Sequence, residues 1–120
     1  MTTLHIDFET YSACELSTYG LDNYARHETT GIHCMAFAFD DEAPKIWINP
    51  DHGIAGCPYG DALHAVLMHV KNNGRVAAHN AAFELALWNT VGVKRYGWPQ
   101  LHPDQCVCTM AMAYAMSLFS

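Results

Sequence analysis

The sequence predicts an α/β domain built on a mixed five-stranded sheet, and three observations carry that prediction. Strand-like runs joined by a short acidic turn fill the first part of the chain. Apolar residues at sustained helical spacing begin only after residue 60, and brief β-like segments alternate with those helices from residue 75 onward. Hairpin-linked strands pair antiparallel, whereas strands joined through a helix pair parallel, so the order implies antiparallel strands first and crossover-linked parallel strands after them.

The first element is LHIDFETYS, residues 4–12. Side chains alternate along a strand, so Leu4, Ile6 and Phe8 share one face while His5, Asp7 and Glu9 share the other. Two carboxylates on one face repel unless solvent, a proton or a cation separates them, and a divalent ion between oxygen ligands is one remedy. A half-buried strand with a wet polar face is the plainer reading of the same residues.

A loop containing Tyr19-Gly20 leads into LDNYARHE, expected to form one or two helical turns. IHCMAFAFD, residues 32–40, has the composition of a buried strand, and the DDEAP turn joins it to KIWIN as its hairpin partner. After the Gly/Pro-rich stretch NPDHGIAGCPYG, Asp61 is expected to cap the helix ALHAVLMHVKNN. Its Leu63, Val66, Leu67 and Val70 follow core-facing spacing, and Gly74 is the expected stop. RVAAH, residues 75–79, reads as a short strand, and Asn80 as the cap of AAFELALWNTV, with Phe83, Ala86 and Leu87 on its buried face. YGWPQLHP is a loop, QCVC a brief strand, and TMAMAYAMSLF a helical segment apolar all round. With no repeat or low-complexity tract, residues 1–120 read as a single domain.

Composition narrows the function classes. A hydrophobic content of 51% supports a real core, and a net charge of −6 with only six Lys and Arg is the wrong sign for an autonomous duplex binder. Nucleic-acid contact must then be local or metal-bridged. Five cysteines, at 14, 34, 57, 106 and 108, form no CxxC pair and read as reduced thiols in a cytoplasmic compartment. The eight histidines include no HExxH, and His64 and His69 stand off a common helical face, which argues against a zinc site. No basic segment followed by an apolar core opens the chain, and MAMAYAM is too short to span a bilayer, so neither export nor membrane insertion is expected.

The second acidic position lies in AHNAAFELALW, residues 78–88. Helical side chains lean toward the helix N-terminus, so Glu84, in the early turns, can reach back over the strand end. If RVAAH lies parallel beside LHIDFE, His79 shares an end with Asp7 and Glu9, and three carboxylates converge at the carboxyl ends of strands, where open α/β sheets bind ligands. Singly, each residue has a structural reading: Glu84 complements the helix dipole, Asn80 caps, Phe83 packs. What goes beyond them is DxE at a strand end together with HNxxFE at the next strand-to-helix junction. The order of elements is that of a ribonuclease H-like sheet.

DFET and AHNAAFE resemble the first and second motifs of DnaQ-like 3'-5' exonucleases, the DEDD group. Over nearly the whole chain, IDFETYS, GLDNYARHETTGIHCMAFAFDD, KIWI, AHNAAFELALWN, YGWP and CTMAMA are similar to the exonuclease domain of bacteriophage-type family A DNA polymerases. The resemblance implies that Asp7, Glu9 and Glu84 are catalytic metal ligands for Mg²⁺ or Mn²⁺, with Glu84 where many relatives have Asp. It implies that Thr10, Tyr11, His79, Asn80 and Phe83 lie beside the substrate, a single-stranded DNA 3' end hydrolysed by a two-metal mechanism to nucleoside monophosphates. A polymerase domain, downstream or in another chain, is the implied partner, and the cytoplasm of a bacterial or phage-infected cell the implied location.

Two departures stand out. Cys108-Thr109 occupies a place where many relatives have Asp-Thr, and the family's third motif, Tyr or His followed by Asp, is not found: Tyr114 is followed by AMSLFS. The chain therefore reads as C-terminally incomplete, with poor activity alone and self-association through residues 109–120 as expectations. Two other readings stay open: a catalytically dead remnant that binds nucleic acid or protein, and a stand-alone exoribonuclease of the same fold.

Overall fold

The structure, a computed structural model, describes residues 2–50 and 60–110. Strand β1 runs from Thr3–Tyr11, followed by α1 (Leu16–Arg26), β2 (Gly31–Phe39), β3 (Lys45–Ile48), α2 (Gly60–Lys71), β4 (Arg75–Ala78), α3 (Ala81–Leu87), a π-helical turn (Trp88–Val93), α4 (Lys94–Tyr96) and β5 (Cys106–Cys108). The five strands form one sheet in the order β3-β2-β1-β4-β5. β1 pairs antiparallel with β2, and β2 with β3, whereas β4 lies parallel to both β1 and β5. The chain is thus an α/β domain on a mixed open sheet. Among the described residues no helix is long and apolar enough to cross a membrane.

The alternation read in β1 sets the two sides of the sheet. Leu4, Ile6 and Phe8 are buried among Met35, Phe37, Val66, Val70, Leu87 and Trp88, while His5, Asp7 and Glu9 are exposed. Across from the exposed residues, the register places Ala38, Ala36 and Cys34, small side chains that leave room beside the two acids. The register shifts between Glu9, which faces Cys34, and Thr10, which faces Ile32. Such a bulge places Thr10 opposite buried Ile32, so β2 still sends an apolar residue into the core beyond it.

An aromatic cluster anchors this core. Trp88 stacks with Phe8 at a centroid distance of 6.3 Å and meets Trp98 at 4.6 Å, while its Nε1–H donates to the Pro99 carbonyl at 2.7 Å. Phe8 stands between Asp7 and Glu9 in sequence, so the packing that fixes Phe8 also fixes the backbone from which both acids project.

Several boundaries differ from the sequence reading. Tyr19-Gly20 lies inside α1, which already begins at Leu16; Gly20 has φ 82 and ψ 167, a conformation open to glycine, and it breaks the element by a kink instead of preceding it. At the end of α2 the left-handed residue is Asn73, φ 67, and Gly74 is needed for a different reason: a Cβ there would lie 2.3 Å from the His69 ring. α2 begins at Gly60, so Asp61 falls within the helix and not before it. Asn80 does occupy the N-cap position of α3, but its side chain makes no capping bond; its carbonyl accepts from the N–H groups of Phe83 and Glu84 at 3.1 and 3.3 Å. The Gly/Pro-rich stretch around Cys57 and all but Thr109 and Met110 of residues 109–120, to which self-association was assigned, lie outside the described residues.

Candidate functional site

β1 outruns its parallel neighbour. The two strands pair only from Thr3 to His5, and β4 ends at Ala78, so the stretch of β1 bearing Asp7 and Glu9 continues past the end of β4. The chain turns there through His79 and Asn80 into α3, and the first turn of that helix carries Glu84. Glu84 is only 5% exposed. The Phe8 N–H donates to its carboxylate, and its Oε2 is buried without a hydrogen-bond partner among the described residues.

This environment disfavours the ionised form. Burial pushes the Glu84 carboxyl up to about 8, the charge of Asp7 adds to the shift, the Phe8 N–H opposes it, and the charge of Glu9 adds again. Glu84 is therefore mostly protonated at neutral pH, while it senses both acids of β1. Cys34, opposite Glu9, is also raised, first by burial and then by the Glu9 charge, so it stays a neutral thiol and a poor nucleophile.

The residues expected beside the substrate divide into two groups. Thr10 and Phe83 meet through Tyr24: the Thr10 hydroxyl hydrogen-bonds the Tyr24 hydroxyl at 2.8 Å, and the Tyr24 and Phe83 rings lie 6.2 Å apart. That bridge ties α1, α3 and the end of β1 together next to Glu9 and Glu84. Tyr11 leans across β2, its hydroxyl where a Cβ on Gly31 would stand, and its ring stays 41% exposed. His79 and Asn80 are exposed at the strand-to-helix turn, and the His79 carbonyl accepts from the Met110 N–H at 3.0 Å and the Cys108 thiol at 3.4 Å.

Asp7, Glu9 and Glu84 share one corner, yet among the described residues no three His, Cys, Asp or Glu side chains stand close enough to hold a metal ion together. Asp7 and Glu9 are exposed and so able to change rotamer, whereas Glu84 is held in place. Sequence reasoning missed Tyr24 and Cys34. Tyr24 bears only the weak signal of a buried stripe with Ala25, and Cys34 becomes a neighbour of Glu9 only once the strand register is known. Compared with family models, with curated proteins and with solved structures, the chain matches none.

Proposed function

We propose that the chain is a 3'-5' exonuclease domain of ribonuclease H-like fold that hydrolyses 3'-terminal phosphodiesters of single-stranded DNA, in a proofreading setting beside a polymerase domain. One observation carries the reading: a buried carboxyl oxygen of Glu84 without a partner, at the uncovered end of β1, within electrostatic reach of Asp7 and Glu9. Buried polar atoms are nearly always satisfied, and carboxylate oxygens are hard donors that suit a small divalent cation once the exposed Asp7 and Glu9 turn toward Glu84. The sheet order, with three antiparallel strands and two parallel ones, and the DFET and HNAAFE motifs support the same reading.

Asp7, Glu9 and Glu84 are the residues that would hold Mg²⁺ or Mn²⁺, which when bound supplies charge neutralisation at the scissile phosphate and a lowered pKa for water. The chain's own groups do the rest. The Phe8 N–H holds the Glu84 carboxyl in one orientation, and the Thr10–Tyr24–Phe83 bridge keeps α3 against the strand end. His79 and Asn80 offer polar contacts to a sugar-phosphate chain, and the half-exposed ring of Tyr11 offers a face to a base.

Calorimetry with Mn²⁺ tests the assignment. Weak binding by the native chain that Asp7→Ala removes is the expected result, and mononucleotide release from a 3'-labelled single strand with Mg²⁺ is expected to be very slow for this chain alone. Equal Mn²⁺ binding by the native chain and Asp7→Ala overturns it. A second reading, a binding module without catalysis, is favoured by the separation of the three acids. It requires oligonucleotide binding with no metal bound at the carboxylates.

A further inference from the structure

α1 carries surface chemistry that the exonuclease reading does not use. One side of the element, Tyr24 and Ala25, is buried. The other side, with Tyr19, Asn23 and Arg26, forms with Ala13, Cys14 and His27 a groove of about 610 Å³, within the ordinary size of a small-molecule site. We infer that this groove is a nucleotide subsite for the same single strand, upstream of its 3' end; the inference rests on the exonuclease reading.

The groove's walls are built and held. The kink at Gly20 separates Tyr19 from the turns after it, and Asn23 Nδ2 donates to the Tyr19 carbonyl across that kink at 2.8 Å. The loop between β1 and α1 is pinned to the loop before β2: the Ala13 N–H donates to Thr29 Oγ1 at 2.8 Å, and the Ser12 and Thr30 hydroxyls bond at 2.6 Å. The Tyr19 ring is 60% exposed and has no ring neighbour among the described residues. Aromatic faces left in water beside polar groups are the platforms on which single-stranded bases stack. Asn23 keeps its amide oxygen and one N–H for a base edge.

Charge points to the same ligand. The chain has only six Lys and Arg, and one of them, Arg26, lines this groove. A second, Arg95, donates to the carbonyl of His27, which also lines the groove, and to that of Thr30. Arg26 pairs with Asp22 four residues earlier, but an exposed pair of this kind is weak and yields readily to a phosphate.

Position completes the argument. Ala13 follows Glu9 by four residues, which at full extension span at most about 14 Å. Tyr24, next to Asn23, bonds Thr10, next to Glu9. A strand whose terminal phosphodiester lies at the carboxylates therefore needs only a short reach to enter the groove.

Fluorescence anisotropy with a short oligodeoxythymidylate, in EDTA, reads the groove without the carboxylate centre. Tyr19→Ala is expected to weaken binding about tenfold, since base–aromatic stacking is commonly worth that much or more, while Tyr19→Phe keeps native affinity. Arg26→Gln is expected to weaken binding and reduce the salt slope by about 0.7, the loss of a single phosphate contact. Native affinity in both Tyr19→Ala and Arg26→Gln, or no binding by the native chain, overturns the subsite. Failure of the exonuclease reading is seen separately, in the Mn²⁺ titration without oligonucleotide, which Tyr19→Ala is expected to leave unchanged.

Discussion

A protonated carboxyl in a folded chain makes stability depend on pH in a definite direction. Glu84 titrates near 8 in the folded state, against 4.5 for the ordinary group, so between those values the native state binds more protons than the unfolded one. Its contribution is fully present below about 4.5 and is lost as pH rises through about 8. The melting temperature is therefore expected to fall across that window, and Glu84→Gln to flatten the decline; thermal melts of both proteins over the window check this. A native profile no steeper than that of the variant counts against the burial of this carboxyl. The residue itself was legible in the sequence, because period-two alternation aligned Asp7 with Glu9 and the lean of helical side chains aimed Glu84 back at them. Its protonation was not legible, since burial and the Phe8 N–H arise from tertiary packing that no spacing encodes.

Elements follow the same division. The strands and their order could be read because alternation and hairpin signals are local. The shape of α1 could not, since Tyr19-Gly20 is equally a loop signal and a kink signal, and the contacts of Tyr24 with Thr10 and Phe83 decide between them. Similarly, nothing local announces that helix α3 widens into a π turn from Trp88 to Val93, where Gly92 admits the Trp98 ring at 2.2 Å from any added Cβ. The kink yields a measurable consequence. No atom lies within 4 Å of a Cβ built on Gly20, so Gly20→Ala meets no clash and only the backbone conformation resists it. Such a position is nearly closed to other residues, and a loss of about 1–3 kcal/mol in urea unfolding is expected. A neutral effect would mean that the kink relaxes into continuous helix.

At the scale of the whole molecule, Trp88 links the helices to the sheet: it is fully buried, stacked on Phe8 and pressed against Trp98. Trp88→Ala is expected to cost about 3–5 kcal/mol in chemical denaturation and to weaken the proposed Mn²⁺ binding in the fraction that remains folded, because Phe8 would lose the support that aligns its two acidic neighbours. Unchanged stability would show that the cluster is loosely packed. The uncovered end of β1 has a second consequence, which concerns neighbouring molecules and not chemistry. A strand that runs past its partner presents backbone donors and acceptors on which another chain can add itself, the usual start of aggregation. Here the Glu84 carboxyl of α3 takes the Phe8 N–H, so one donor of this stretch is already occupied. Glu84→Gln keeps an oxygen for that N–H and is expected to stay monodisperse on warming, whereas Glu84→Ala is expected to scatter light first. A carbonyl-bearing side chain at position 84 thus has a use that is independent of any chemistry at the corner: it keeps the edge of a strand occupied.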